Sequence, residues 1–382
     1  MPQGQQRTPG TGKGACEPLA GHLPSGVTVI LGGMLSVKAD CIVQSMAIRM
    51  KDIADDLGLS VVTISKVLRE HPDIGEETRE RVLRRVKELN YQPNILARSL
   101  VTGRSFLVGL IVPDLIHPFF AEIAKALSGA IRSQGYSLIV SASEEDGELE
   151  AREIRQLRAR RMDALVIAST RSRLPELEER DADSIFVLID REIPEARAHF
   201  LGIDDKAAGR IATEHLIEVG CRRIAHIRGR ETSTAVNRYE GYREALHAHG
   251  IEYDDTLVVS RTSVDVGSTE QGAEAMKTLL QRSPRPDGVF CFNDPLAVGA
   301  MKAIHAAGLK IPEDIAIIGC GNLHYDDALR VPLSSIDQHS REMGQQAGEL
   351  VLSLIQAKQK PLPRSYILQP ELVVRESTSR RR

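Results

Sequence analysis

From residue 106 onward the chain alternates short apolar runs with amphipathic stretches, and that alternation leaves few folds open. FLVGLIV (106–112), YSLIVSA (136–142), ALVIA (164–168) and IFVLI (185–189) have the length and composition of strands. Helical periodicity fills the intervals near 119–134, 148–160 and 174–182. A second series sets RIAHI, GVFCF and IAIIG among helical stretches near 206–219, 236–249, 267–282 and 295–307. Strands joined through helices pair in parallel, because a parallel pair needs a long crossover. The expected class of this part is therefore α/β, in two doubly wound lobes. A chain of 382 residues accommodates both lobes and a further small unit.

Open parallel sheets bind ligands beyond the carboxyl ends of their strands, here between the lobes. That rule selects Asp190 and Arg191 after IFVLI, Asp204 after HFLGI, and Asn293 and Asp294 after GVFCF, with Arg238 at the start of its helix. Each has a competing duty as a helix cap or an inter-lobe ion pair.

Ahead of the α/β part, KDIADDLGLSVVTISKVL contains a conflict. Val61, Val62, Thr63 and Ile64 are consecutive β-branched residues that favour a strand by themselves. Their surroundings favour a helix. Ile53, Ala54 and Leu57 recur at helical spacing, Gly58 can take the positive φ of a turn, and Ser60 can cap a second helix from about Val61 to Arg69. A small residue at 54, a glycine at 58 and an apolar plug at 64 have the spacing of a helix-turn-helix. Ile64, Val67 and Leu68 would face inward, leaving Val61, Val62, Ser65, Lys66 and Arg69 outward. Exposed valines suit thymine methyl groups in a major groove, with Lys66 aimed at a guanine edge or a phosphate. The candidate DNA contacts are Ser60, Val61, Val62, Thr63, Ser65, Lys66 and Arg69. A plain helical bundle with these valines at an internal contact is the alternative. A third helix follows, EETRERVLRRVKELN, with Glu76 and Glu77 in its first turn, Arg84, Arg85 and Lys87 later, and Asn90 as a left-handed cap.

Charge and cysteine content exclude several classes. Residues 46–104 carry 11 basic against 9 acidic side chains, whereas the whole chain has a net charge of −3, so a mildly basic head precedes an acidic body. The cysteines Cys16, Cys41, Cys221, Cys291 and Cys320 form no Cys-x-x-Cys pair, which fits a reducing cytoplasm without zinc or haem. No apolar run approaches the ~20 residues of a membrane span. Residues 1–45 lack any helical or strand period and read as an unstructured extension, with Met46 an alternative start. VTVILGGML is too short for an anchor, and GTGKG lacks the Ser or Thr of a phosphate loop. There is no Gly-x-Ser-x-Gly elbow, His-Glu-x-x-His or dinucleotide fingerprint, so neither an enzyme nor a cofactor is expected.

KDIADDLGLSVVTISKVL, followed by PDIGEETRERVLRRVKELNYQPNILARSL, resembles the head of the lactose-repressor (LacI/GalR) family of bacterial transcription regulators. DALVIA, GIDDKAAGRIATEHL, RYEGYREAL, FNDPLAVGAMKAI and GLKIPEDIAIIG carry the resemblance through the body. It implies a small all-α helix-turn-helix head on a periplasmic-binding-protein-like effector domain, whose chain crosses between lobes near 204, 334 and 360. It implies too that Asn94 to Leu100 is a hinge helix ordered on DNA, with Asn94 and Arg98 in contact and Leu100 wedged into a minor-groove step. By position in the family, Phe119, Asp190, Arg238 and Asn293 resemble effector contacts, to which the strand-end rule adds Arg191 and Asp204. One departure stands out: Cys320, Gly321 and Asn322 occupy the place where the family usually has Tyr-Asp-Asp or Tyr-Asp-Asn, removing an aspartate that would grip a sugar hydroxyl. With Arg191, Arg228, Arg230 and Arg238 expected near the cleft mouth, an acidic sugar, a sugar phosphate or another anion stands beside a neutral sugar as effector.

The expected organisation is 1–45 extension, 46–91 DNA-binding head, 92–105 hinge and linker, and 106–382 effector and dimerisation domain. The expected activity is that of a cytoplasmic homodimeric repressor on a pseudopalindromic operator, controlled by a carbohydrate-related effector, with no membrane partner.

Overall fold

The computed structural model describes residues 48–68, 71–91, 99, 102–178 and 184–379. They fall into two units, Met1–Pro93 and Asn94–Arg382. Arg69, Asn94, Arg98, Leu100, the extension 1–45 and the end of the helix expected over 174–182 lie outside the described residues.

In the first unit α1 spans Met50–Leu57, α2 Val61–Leu68 and α3 Glu76–Glu88. Gly58 takes φ +65 and closes α1, its N–H reaching the carbonyls of Ala54 and Asp55. The hydroxyl of Ser60 accepts the Thr63 N–H at 3.0 Å and thereby starts α2. Ile53, Ala54, Ile64, Val67, Val82 and Tyr91 form one small core, so the strand preference of Val61–Ile64 yields to burial of one helical face. Asn90 sits at φ +46 past the end of α3, as the sequence suggests.

The second unit contains two six-stranded sheets. In the first, β1 (Leu107–Val112), β2 (Ser137–Ala142), β3 (Ala164–Ile167), β4 (Phe186–Ile189), β5 (His199–Ile203) and β11 (Ser365–Leu368) follow the order β11-β5-β4-β3-β1-β2. All its pairs are parallel. In the second, β6 (Ile224–Arg228), β7 (Val258–Ser260), β8 (Gly288–Cys291), β9 (Ala316–Gly321), β10 (Ser334–Asp337) and β12 (Glu371–Val373) follow β12-β10-β9-β8-β6-β7. Only β12, against β10, is antiparallel here.

Helices cover both faces of each sheet. On the first sheet α4 (Pro118–Arg132) and α11 (Ser340–Gln356) lie on one side, where Val108, Leu110 and Val112 meet Ile123, Leu127 and Val351. On the other, Ile111 and Ile167 meet Ile154 and Leu157 of α5 (Gly147–Ala159). Residues of alternate parity on β1 thus serve opposite cores, the pattern of a strand buried on both faces. Each fully buried side chain of this kind contributes roughly 1.5–3 kcal/mol. On the second sheet α7 (Asp205–Glu218) and α8 (Ser233–Ala248) cover one face, α9 (Ser268–Leu280) and α10 (Asp294–Ala306) the other. A single turn, α6 (Pro175–Glu178), precedes β4.

The passages between sheets differ from two of the expected positions. The first falls at Asp204, between β5 and α7. Residue 334, however, opens β10 inside the second sheet, and the chain leaves only after Asp337, returning through α11 to the first lobe. Residue 360 still precedes β11 of the first sheet, and the last passage lies between Leu368 and Glu371. The displacement has a physical reason. β10 reads Ser-Ser-Ile-Asp, and the hydroxyls of Ser334 and Ser335 are buried by hydrogen bonds to Arg375 O and to Asp294, so no apolar run marks that strand.

Candidate nucleic-acid interface and ligand cleft

In the head, α2 presents Val61 and Val62, 42% and 62% exposed. Thr63 and Ser65 are half-buried beside them, and the Thr63 hydroxyl is bonded to that of Ser60 at 2.9 Å. Lys66 extends to Asp73 at 2.5 Å, and His71 Nδ1 holds the other oxygen of the same carboxylate at 2.6 Å. A surface pair of this kind is weak enough for a phosphate to replace. The face is therefore two exposed methyl-bearing side chains, three hydroxyls and one exchangeable ammonium.

In the second unit the loops after β1, β4, β7, β8 and β10 converge between the sheets. Asp190, next after β4, is 8% exposed and adopts φ +66, a conformation that costs a non-glycine residue about 1–3 kcal/mol. Its carboxylate accepts no hydrogen bond among the described residues, and the Arg191 Nε lies 3.5 Å from Oδ2. Burial pushes its pKa up to about 7. Arg191 itself is buried, with Nη2 on the Asp265 carboxylate of the second lobe, Nη1 on Ser169 O at 3.3 Å, and Nε without an acceptor in hydrogen-bonding geometry.

Arg238 lies on α8, 2% exposed. Its Nε reaches Asp205 at 2.8 Å, Nη1 the carbonyl of Phe292 at 2.7 Å and Nη2 the Gln338 side chain at 2.7 Å. The guanidinium also lies 4.7 Å from the Phe292 ring centroid. Burial raises the Asp205 carboxyl, and Arg238 opposes that rise. Asn293 caps α10 through its oxygen, which accepts the Leu296 N–H at 2.9 Å, while its amide nitrogen lies 2.7 Å from Val264 O and 3.2 Å from His117 Nε2. Phe119 is buried, edge-on to Phe120 and His117.

The cluster thus brings together Phe119, Asp190, Arg191, Arg238 and Asn293. Asp204 stays apart as the cap of α7, accepting the Ala207 N–H at 2.9 Å, and its neighbour Asp205 reaches Arg238 instead. Nor are Arg228 and Arg230 open at the cleft mouth: the first lies over Tyr239 and pairs with Glu231, the second donates to Glu145 O.

Several cleft residues escaped the sequence reading. His117, after β1, was open to the same strand-end rule; burial holds its imidazole below the usual range, and Nδ1 has no partner. Asp205 stands one position from the residue that rule selects. Asp265 and Gln338 follow β7 and β10, which are too short or too polar to be seen as strands. Glu145 crosses from the first lobe to hold Ser263 and the N–H groups of Val264 and Val266.

The departure at Gly321 also has a local cause. Its φ is +152, and a Cβ there would meet Asp294 Oδ2 at 2.5 Å, so no side chain fits while the Asp294 carboxylate is bound to Ser335 and Leu323 N. Among the described residues no His, Cys, Asp and Glu group has the arrangement of a metal site, and no helix is long and apolar enough to cross a membrane.

Comparison with known proteins joins the two units. Residues 105–375 match the family of periplasmic binding proteins and the sugar binding domain of the LacI family, and residues 49–94 match bacterial regulatory proteins of the lacI family. The ribose operon repressor of Halalkalibacterium halodurans is 34% identical over 331 residues, covering 86% of this chain and 96% of its own. A solved complex of the transcriptional regulator CelR with cellobiose is 30% identical, with TM-score 0.65 over 86% of this chain and 99% of that one. The lac repressor bound to ONPG in its repressed state is 25% identical, with TM-score 0.75 over 86% and 99%. With both units matched and a relative of this identity spanning most of its length, the chain belongs to the lacI family of bacterial regulatory proteins and is a DNA-binding regulator of transcription.

Proposed function

We propose that the protein is a cytoplasmic homodimeric repressor, acting by binding alone, whose hold on a pseudopalindromic operator is set by a neutral polyhydroxylated effector, of the sugar class, between the two lobes. Each half-site is read by Val61, Val62, Thr63, Ser65 and Lys66 of α2 with Ser60 and Arg69 beside them in the sequence, and the segment 94–100 supplies Asn94, Arg98 and the Leu100 wedge in the minor groove. The domain limits follow the same division at 46–91, 92–105 and 106–382. Asp190 carries the effector reading. A largely buried carboxyl with no donor among the described residues leaves its acceptor positions to a ligand, and hydroxyls are suitable donors. Phe119 lies beside His117 in the same cluster, and Arg238 retains N–H capacity beyond its three bonds.

Charge selects a neutral ligand over an anion. Arg191 and Arg238 are already matched by Asp265 and Asp205, with Asp190 in addition. The relatives named for ribose and seen with cellobiose support the class. In a thermal-shift panel of ribose, glucose and cellobiose with related neutral sugars, at least one raises the melting temperature, by roughly 5–10 °C at 100 times its dissociation constant. Asp190→Ala loses at least about tenfold in affinity for that sugar, the value of one strong hydrogen bond to a charged group. A wild type that no neutral sugar stabilises, or an Asp190→Ala protein that binds as before, contradicts the reading.

A further inference from the structure

Arg191 is a buried guanidinium, in the first lobe, whose counter-ion comes from the opposite wall of the cleft. Asp265 of the second lobe is 5% exposed and bonds Nη2, while Nε has no acceptor in hydrogen-bonding geometry. Asp265 also faces His117 Nε2 at 3.9 Å. The segment that carries it is fixed independently: Ser263 and the N–H groups of Val264 and Val266 are held by Glu145, Val264 O accepts from Asn293, and the single proton of the Ser268 hydroxyl is shared between Val264 O at 2.6 Å and Asp265 O at 2.7 Å. The Asp265 carboxylate is thus delivered to Arg191 by a braced loop rather than by a free side chain.

A planar guanidinium inside a low-dielectric cleft is a carboxylate or phosphate receptor, bidentate by geometry. We infer that Arg191 is an anion subsite occupied by the chain's own carboxylate, and that Asp265 is the specificity-determining residue that keeps anionic effectors out of the cleft. The inference rests on the reading of this cleft as the effector site. An incoming sugar acid would have to displace Asp265 and leave it buried and unpaired beside Asp190, a like-charge arrangement that disfavours the complex. A neutral sugar meets no such opposition, and its hydroxyls can accept from Arg191 Nε and engage His117 Nδ1.

Removing the Asp265 carboxylate should therefore turn the cleft into an anion receptor. Asp265→Ala leaves a gap the size of a carboxylate, so its melting temperature should rise saturably with sodium formate, by about 2–4 °C at ten times the dissociation constant, and also with gluconate. Sodium chloride at equal ionic strength should not reproduce the rise. Wild type and the Arg191→Gln/Asp265→Ala double variant should respond to neither anion beyond the chloride control. Asp265→Asn, which keeps shape and volume, provides the gluconate test if the alanine variant does not fold. A wild type stabilised by gluconate, or single variants as unresponsive as the double one, would overturn the inference. Formate rescue that depends on Arg191 in a protein no neutral sugar stabilises would retain the anion subsite and remove the sugar reading, so the two failures are distinguishable.

Discussion

Arg238→Met is expected to destabilise the protein by about 3–5 kcal/mol and to abolish its response to any effector. The methionine keeps the aliphatic stem and removes three hydrogen bonds, to Asp205, Phe292 O and Gln338, that join α7, the end of β8 and the segment after β10. The main penalty is the Asp205 carboxylate, left buried without its ion-pair partner. That carboxyl, already raised by burial, would lose the guanidinium that opposes the rise, and the loss of stability should be smaller in acid than at pH 8. The sign follows from linkage: a folded-state pKa above the unfolded one gives stability that is complete below the unfolded pKa and is lost as pH rises through the folded one. In Asp205→Asn/Arg238→Met the buried charge is gone, so most of the stability should return while the effector response does not. Urea denaturation at pH 5 and pH 8 measures both effects; equal losses at the two pH values would mean that Asp205 is not the cause.

Gly241→Ala is expected to cost about 3 kcal/mol, at the upper end for overpacking. A Cβ at this position on α8 would lie 2.0 Å from Lys206 O on α7, and one at Gly209 on α7 would lie 2.0 Å from Arg238 O on α8. Both obstacles are backbone, so relief requires the helices to part. Parting them moves Arg238 away from Asp205, and effector affinity should fall together with the denaturation midpoint. Loss of stability without any change in affinity would show that α7 and α8 separate without disturbing the cleft. The same construction recurs between α9 and α10 at Gly272 and Gly299, where a Cβ would meet Leu296 O at 2.0 Å and Thr269 O at 1.9 Å.

Legibility in the sequence followed burial. β1 was readable because Val108, Leu110 and Val112 serve one core and Ile111 the other, giving an uninterrupted apolar run. The helix-turn-helix was readable because Ala54, Gly58, Ser60 and Ile64 each have one steric or capping duty that few residue types perform. β10 was not, since its buried atoms include serine hydroxyls whose partners lie far along the chain. Gln338, just beyond it, was lost with the strand. Asp204 and Asp205 differ only in helical phase, and a shift of one residue exchanges a cap for a buried ion pair. Charge was the least legible property: arginines 228 and 230 look available in the sequence and have partners in the fold.

On the proposed function, one small molecule between the lobes sets the affinity of the head for DNA. The direct measurement selects bound DNA from a random pool with the full-length protein, then titrates the selected site with and without the neutral sugar that raises the melting temperature. A site of two-fold symmetric half-sites, with affinity altered at least about tenfold by the sugar in wild type and unaltered in Asp190→Ala, is the predicted result. No symmetric site, or an affinity indifferent to the sugar, would mean that the cleft does not control the head.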